Sequence, residues 1–507
     1  MAKLSIIYIF EGMRFAPGQL TAELLRDGHQ PQAIFFKRQE RVLSTRLEEM
    51  RDELETCDQP SASYEVKQDD CVVLEWGVYK KTKPHELRHL KTCLQEFKPD
   101  AIGVSCLSVG MKLAEEVTAF LRQNFSQPIV WGGVGPTVEP DRAILAADVV
   151  CVGEGEEVIR EIASRLDRKE SLEGIAGTWH KTKTGEVVKN PARPSMSLDA
   201  IAIPVYDPKY CVQIYGPHFI REPDHVITNK HRNIYMIMTQ RGCPFSCSFC
   251  VESFYQDTFG KKDSLKRRSP DLVLEELKIA KAKGYKGVSF FDDVFTLNPR
   301  WLKEFLPRYK KEIGLPFWCY TYPTTHNPEI LRQLREAGCN AITMGIQSGS
   351  ERILHEVYGR QTKVSRVIEA MDEIYRAGFP KMSFDLIPRT DFDTEEDLRQ
   401  TLDLMRKIPK GMHASSFSQL AYFPNYSIND RFKDPNLLAS TEKISEDTYL
   451  YYFKLFFLTR SEKLDDQQLQ AIIDDPQYRR DHRLLNPYLP EDRLEISHNE
   501  PICEESP

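Results

Sequence analysis

Three cysteines stand close together in the segment Arg241-Gly242-Cys243-Pro244-Phe245-Ser246-Cys247-Ser248-Phe249-Cys250. Thiolates gathered on one loop with glycine and proline can converge on a single metal centre, and soft sulfur donors suit iron–sulfur clusters or zinc. A closed structural zinc site takes four ligands. No fourth cysteine or nearby histidine completes this one, because His231 precedes the adjoining apolar run and His326 lies far along the chain. Three ligands leave one iron of a four-iron cluster open to a substrate. A zinc knuckle, or a chance group of buried thiols, is the alternative reading. A second feature is the pair Asp292 and Asp293 in the run Phe290-Phe291-Asp292-Asp293-Val294-Phe295. Adjacent carboxylates there could position a cofactor, cap a helix or share a metal. The remaining cysteines, Cys57, Cys71, Cys93, Cys106, Cys151, Cys211, Cys319, Cys339 and Cys503, are scattered singly. Cys319 and Cys339 read as small buried residues.

The elements that position these groups follow from the hydrophobic periodicity. An apolar strand at 234–238 feeds the cysteine loop. Strands at 288–291, 317–322, 341–346 and 382–387 then alternate with helices at 270–283, 299–312, 328–337, 364–377 and 394–407. About six βα units predict a partial (β/α)6 TIM-type barrel over 233–425. Upstream, strands at 4–10, 101–106, 128–131 and 148–152 alternate with helices, and the later strands end in glycine or serine. That pattern predicts a doubly wound, Rossmann-like parallel sheet over 1–170, with a ligand crevice at the strand carboxyl ends. Gly28 reads as a helix cap and His29 as structural. Residues 38–70, charged and weakly periodic, suggest a helical excursion with loops. Residues 171–232, with a hairpin near 176–190 and prolines at 191, 194, 204 and 208, read as a linker. Residues 426–507 form a small, mainly helical C-terminal region. Its aromatics around Tyr449-Leu450-Tyr451-Tyr452-Phe453 read as core, or as a cap on the open barrel end.

The Cys-x3-Cys-x2-Cys pattern, with Phe249 before the last cysteine and a strand before the first, resembles the hallmark of the radical S-adenosylmethionine superfamily. The resemblance implies that Cys243, Cys247 and Cys250 hold a [4Fe–4S] cluster whose open iron chelates S-adenosylmethionine, which is cleaved to a 5′-deoxyadenosyl radical. Asp292 and Asp293 resemble the second-strand motif that orients the amino group of S-adenosylmethionine. Gly345-Ile346-Gln347-Ser348-Gly349-Ser350 resembles the fourth-strand segment near the ribose and carboxylate, with Gln347 where glutamate is commoner. The resemblance extends through Tyr358-Gly359-Arg360 and Thr394-Glu395-Glu396-Asp397. Near Pro388-Arg389-Thr390 the chain departs from the family's usual turn, and Arg389 is expected to face substrate.

The first domain resembles the cobalamin (B12)-binding domain that precedes the radical domain in one subclass. The matching pieces are Pro99 to Ser105, Gly132-Gly133-Val134-Gly135-Pro136-Thr137, and Asp148 to Glu156. They imply Ser105, Gly132, Gly133, Gly135, Gly153 and Glu154 as cofactor contacts, with glycines letting the backbone approach a large ligand. The loop Glu11-Gly12-Met13-Arg14-Phe15-Ala16-Pro17-Gly18 has no lower-ligand histidine, which many radical members also lack. The remaining cysteines are too few for an auxiliary-cluster domain.

Composition bounds the function. The 507 residues carry 68 basic and 75 acidic side chains, a net charge of −7, which argues against a nucleic acid as main partner. No stretch has the ~18 consecutive apolar residues of a transmembrane helix, and the early charges at Glu11 and Arg14 do not suit a signal peptide. A cytoplasmic enzyme is expected. The leading reading is a cobalamin-dependent C-methyltransferase acting on a small-molecule or natural-product intermediate, served by an external electron donor such as flavodoxin or ferredoxin. The alternative keeps the cluster but not cobalamin chemistry: cyclisation, oxidation, rearrangement or transfer of another fragment of S-adenosylmethionine. A non-catalytic iron–sulfur electron carrier is the reading from another class.

Overall fold

The computed structural model describes residues 1–9, 15–37, 40–43, 54–55, 61–67, 71–182, 184–223, 233–439, 441 and 443–489. The chain forms two compact units, one of residues 1–60, 77–232 and 423–425, the other of 61–76, 233–422 and 426–507.

The first unit is organised by strands that are apolar on both faces. In β1 (Lys3–Ile9), Leu4, Ile6 and Tyr8 join one core with Ala33, Phe35, Val130 and Val149. Ile7 and Ile9 join the opposite core with Ile34, Phe36, Ile102, Val104 and Trp131. Side chains alternate across a strand, so such a sheet must be covered on both sides. Helix α1 (Phe15–Arg26) places Leu24 on the first face. Helices α2 (Pro84–Phe97) and α3 (Met111–Asn124) cover the second through Leu90, Leu94, Leu113, Val117 and Leu121, and α4 (Glu156–Asp167) returns to the first through Ile159 and Ile162. The other strands are β2 (Gln30–Phe36), β3 (Ala101–Cys106), β4 (Ile129–Gly132), β5 (Val149–Cys151), β6 (Thr178–Lys181), β7 (Val187–Lys189), β8 (Cys211–Tyr215) and β9 (His218–Arg221), in the order β7-β6-β5-β4-β3-β1-β2-β8-β9. Strands β5 through β8 along that order are parallel. The strand order reverses between β1 and β3, where a doubly wound sheet opens its crevice. As expected, Gly28, at φ 76°, stops α1, and His29 is structural: its Nδ1 accepts from the Ala2 amide at 3.3 Å.

The span 171–232 is corrected by the fold. The expected hairpin is present as β6 and β7, antiparallel to each other and to β5, and β8 adds in parallel to β2. Val212 and Ile214 are buried, so this span closes both edges of the sheet where unpaired strand groups would otherwise lie open. Of residues 38–70, where a helical excursion is expected, those described form strands Glu40–Leu43, Leu54–Glu55 and Ser61–Lys67; the rest of that span lies outside the described residues.

The second unit contains six parallel strands in sequence order: β10 (Ile234–Ile237), β11 (Gly287–Phe290), β12 (Phe317–Thr321), β13 (Cys339–Gln347), β14 (Lys381–Arg389) and β15 (His413–Gln419). The strand Ser61–Lys67 pairs antiparallel with β15. The covering helices start on local signals. Asn298 and Asn327 each accept a hydrogen bond from the amide three residues on, ahead of α7 (Pro299–Glu312) and α8 (Pro328–Ala337), and Thr394 with Asp397 forms a reciprocal cap on α10 (Glu395–Lys407). Such caps satisfy amides that have no partner within the helix. Cys319 and Cys339 are fully buried. The final strand, β15, has no alternating pattern to announce it. It is fixed by Phe417, which packs on Phe453, Phe456 and Phe457 of α11 (Glu446–Leu458). No helix among the described residues is long and apolar enough to cross a membrane.

Candidate functional site

The cysteine loop hangs from β10 and runs into α5 (Val251–Phe259). Its entry is fixed by Asp292, which is fully buried beyond the end of β11. One carboxylate oxygen accepts the amides of Thr239 and Gln240 at 2.6 and 2.9 Å, the other accepts the Thr239 hydroxyl, and Arg267 lies 3.4 Å away. Asp292, expected to hold a cofactor, is thus engaged by its own chain. Gly242, at φ 86°, turns the loop where a Cβ would collide with the Ser264 carbonyl at 1.9 Å.

Beyond that turn, the carbonyls of Cys243 and Phe245 accept from Gln256 Nε2, and the Cys247 carbonyl accepts from the Ser253 hydroxyl at 2.6 Å. Helix α5 therefore braces the loop that precedes it. Cys250 is its N-cap residue, where the helix dipole favours a thiolate. Burial pushes the Cys243 thiol up to about 12 and raises Cys247 and Cys250, with Cys247 adding to the shift of both neighbours. Among the described residues no three His, Cys, Asp or Glu side chains converge as one metal-holding group. Neutral thiols have no attraction that draws their sulfurs together; that comes with deprotonation onto a cation.

Two segments that the motif does not name clamp the loop. The Ser248 amide donates to the Tyr358 carbonyl at 2.9 Å and its hydroxyl to Val357 at 2.6 Å, while its carbonyl accepts from the Ile428 amide at 2.9 Å. Gly359 lies against Ser246, whose carbonyl would be 3.1 Å from an added Cβ. Phe249 meets the Tyr358 ring edge-on, centroids 4.9 Å apart.

Asp293, unlike Asp292, is open to solvent on one side, and desolvation of its carboxyl by the surrounding chain, together with Asp292, pushes it up to about 6. Its charge reaches Cys243, Cys250 and Glu252. Glu252 is raised to about 8, chiefly by burial and then by Asp293. Gln347 ends β13 at φ 77°, a left-handed backbone unusual for a side chain of its kind. The register with β14 slips there, and its Nε2 lies 2.9 Å from where a Cβ on Gly345 would stand. Such strain persists where surroundings impose it, often at ligand sites. Three buried polar atoms here, Glu252 Oε2, Gln347 Oε1 and Arg360 Nε, have no hydrogen-bond partner. A sulfur-only donor set beside unpartnered donors and acceptors fits an iron–sulfur cluster with a polar ligand on it.

Ser348 does not join them. Its hydroxyl accepts from the Ser350 amide at 3.1 Å and faces Thr401 at 3.5 Å. Gly349 packs on α10, where a Cβ would be 2.5 Å from Thr401 Cα. Arg389 is also corrected: it pairs with Glu446 at 2.8 Å and lies over the Tyr449 ring, so the C-terminal helix occupies it.

In the first unit, Ser105, Gly132, Gly133, Gly135, Gly153 and Glu154 sit at or just beyond the carboxyl ends of the neighbouring strands β3, β4 and β5. The tightest glycines approach their own chain. A Cβ on Gly133, at φ 100°, would lie 2.7 Å from the Cys106 carbonyl, and one on Gly135 2.8–2.9 Å from Met111 and Leu107. The Gly153 amide is held by Thr137 at 3.1 Å. Gly133 is nonetheless exposed, and Ser105, Gly132, Gly153 and Glu154 are half-buried. Ser108, at the same strand end, has a buried hydroxyl with no partner. Backbone lining with an unpartnered hydroxyl fits the tail of a large ligand. Of the loop 11–18, residues 11–14 lie outside the described residues.

A cysteine loop at the head of six parallel βα units, with a doubly wound sheet upstream, defines a two-part α/β protein of the kind that carries a cluster and a second large cofactor. Residues 237–405 match the radical SAM superfamily and residues 87–163 the B12 binding domain, so the chain carries a B12-binding domain followed by a radical SAM domain. It is 30% identical, over 62% of its length and 66% of the relative's, to an uncharacterised methyltransferase of Pyrococcus horikoshii. It is 24% identical, over 64% of each chain, to the bacteriochlorophyllide d C-12(1)-methyltransferase of Chlorobaculum tepidum. The chain spans less than two thirds of the length of these relatives. In fold it is similar to the radical S-adenosylmethionine methyltransferase TsrM of Kitasatospora setae, solved with cobalamin and a [4Fe–4S] cluster, with a TM-score of 0.59 at 17% identity over 85% of this chain and 78% of that one. The radical SAM domain implies a [4Fe–4S] cluster and S-adenosylmethionine, and the B12 domain implies cobalamin.

Proposed function

We propose that the chain is a cobalamin-dependent radical S-adenosylmethionine enzyme, a C-methyltransferase for a small-molecule or natural-product intermediate. The observation that carries this reading is the cysteine loop itself, braced from behind by Gln256 and Ser253 and clamped by Tyr358 and Ile428, so that three thiols are presented on a fixed backbone. When bound, cluster and S-adenosylmethionine supply a 5′-deoxyadenosyl radical, and cobalamin supplies the methyl group. Cys243, Cys247 and Cys250 would hold the cluster, with Phe249 packing the loop. Asp293 and the strained Gln347 would orient the amino-acid end of S-adenosylmethionine, both accepting hydrogen bonds, through carboxylate and carboxamide oxygens. Asp292 and Ser348 support them from behind. The backbone at Gly132, Gly133 and Gly153, with Ser105 and Glu154, would line the cobalamin tail, and Gly135 would fix that lining. An external low-potential donor of the flavodoxin or ferredoxin kind, and a cytoplasmic setting, complete the proposal.

The test is cobalamin content. The protein is reconstituted anaerobically with iron, sulfide and excess cobalamin, desalted, and the corrin absorbance read per polypeptide. Near-stoichiometric retention is expected. No retention with an intact cluster would overturn the methyl-transfer reading and make the first domain a scaffold, turning the substrate search to cyclisation, oxidation, rearrangement or transfer of another fragment.

A further inference from the structure

One side chain ties the cysteine loop to the barrel strand that ends in Gln347. Arg360 is 5% exposed. Its Nη2 donates to the Gly345 carbonyl at 2.8 Å, and its guanidinium lies over the Tyr322 ring, 4.5 Å from the centroid. Tyr322 in turn stacks on Phe245 of the cysteine loop, centroids 3.9 Å apart and planes 15° from parallel, with its hydroxyl 2.8 Å from that of Thr362. The backbone beside Arg360 is equally fixed. Its own amide donates to Leu354 at 2.7 Å, and the Tyr358 carbonyl accepts from Ser248. Loop, ring and guanidinium therefore form one stack against the cysteine loop at Phe245. Arg360 Nε is buried with no hydrogen-bond partner, which is costly for a cationic donor unless an acceptor arrives.

We propose that Arg360 is a positioning residue that sets the reduction potential of the cluster, by fixing a permanent positive charge and an unpartnered N–H donor against the cysteine loop. The inference rests on reading the cysteine loop as a [4Fe–4S] site. Cluster potentials follow net charge and hydrogen bonds to the sulfurs. One-electron reduction by an external donor adds one negative charge to the cluster. A guanidinium cannot lose its proton to escape that charge, so it stabilises the reduced form and raises the potential. Tyr322 and the Gly345 carbonyl keep the guanidinium from swinging away to solvent.

The experiment is a redox titration of the reconstituted full chain, followed by the electron paramagnetic resonance signal of the reduced cluster, in the parent protein and in R360M, R360Q and R360K. Iron content is measured in each. R360M and R360Q should keep four irons and show, at a fixed potential, a reduced-to-oxidised ratio about tenfold below the parent, a shift of about 59 mV to more negative values. R360K, which keeps the charge but not the fork, should fall between. A merely structural role would not order the variants by charge. Ratios equal to the parent in R360M and R360Q overturn the proposal, as does loss of iron in all three variants, which would make Arg360 a residue of the loop's fold alone. A parent protein that forms no four-iron cluster overturns the reading of the site as well, so the two failures are distinct.

Discussion

Asp292 grips Thr239 twice, its carboxylate accepting both the amide and the hydroxyl of that residue. Thr239 stands four residues before Cys243, so a carboxylate at the end of the second barrel strand decides where the cysteine loop begins. Asp292→Ala would strip three donors of their acceptor and leave buried Arg267 without its carboxylate. Breaking a buried charged network by removing one partner costs about 3–5 kcal/mol. The variant should unfold well below the parent in a thermal melt and retain little iron after reconstitution. Parent-like melting with full iron would show that the loop is held elsewhere.

Gln347 separates binding from folding. Its backbone strain belongs to the β13–β14 register slip and persists in Gln347→Ala, while its carboxamide has an unpartnered buried oxygen. The alanine variant should melt close to the parent, and S-adenosylmethionine should bind about tenfold more weakly, the value of roughly one hydrogen bond. Calorimetry on the reconstituted protein reads the affinity. Unchanged affinity would remove Gln347 from the site.

Glycine positions give a harder test of packing. Gly349→Ala places a Cβ 2.5 Å from Thr401 Cα on α10, a backbone atom of a helix that cannot step aside cheaply. Gly133→Ala adds a left-handed φ of 100° to a 2.7 Å clash with a carbonyl. Each should lose about 1–3 kcal/mol or more of stability. Gly28→Ala, equally left-handed but facing open space, should cost only the backbone term, about 1 kcal/mol.

Much of this was legible in the sequence, for identifiable reasons. Strands β10 to β14 contain apolar runs, and those of β11 and β12 are followed by capping asparagine and proline, so pattern and propensity agree. The cysteine spacing carries its chemistry in residue type alone. What pattern could not show was direction. Asp292 and Asp293 are adjacent just beyond β11, yet one is fully buried against Thr239 and Gln240 and the other is not, a difference set by the turn after the strand. Ser348 turns toward α10, and Arg389 is taken by Glu446, 57 residues away. Gln256 and Ser253 sit in an ordinary helix context and become site residues only through tertiary contact. β15, with one large apolar residue, is a strand because α11 packs on it, and the strands β8 and β9 follow a proline-rich stretch that resembles a linker.

His326 gives a pH test. Its Nδ1 lies 2.9 Å from the Thr321 hydroxyl, and burial first, then Arg366, lowers its pKa to about 4. An unfolded histidine titrates near 6.5. Between these values the unfolded chain holds a proton that the folded chain does not, so stability falls as pH drops from about 6.5 toward 4. The fall in melting temperature between pH 7.5 and 5 should be smaller in His326→Asn than in the parent. An equal fall in both would place the acid sensitivity in other groups.

The central claim is that Cys243, Cys247 and Cys250 hold a cluster that cleaves S-adenosylmethionine. The direct measurement is anaerobic incubation of reconstituted protein with S-adenosylmethionine and a strong reductant, with 5′-deoxyadenosine quantified by chromatography. The parent should form it, and the protein with all three cysteines replaced by alanine should form none and bind no iron. Cleavage retained in the triple variant would contradict the account.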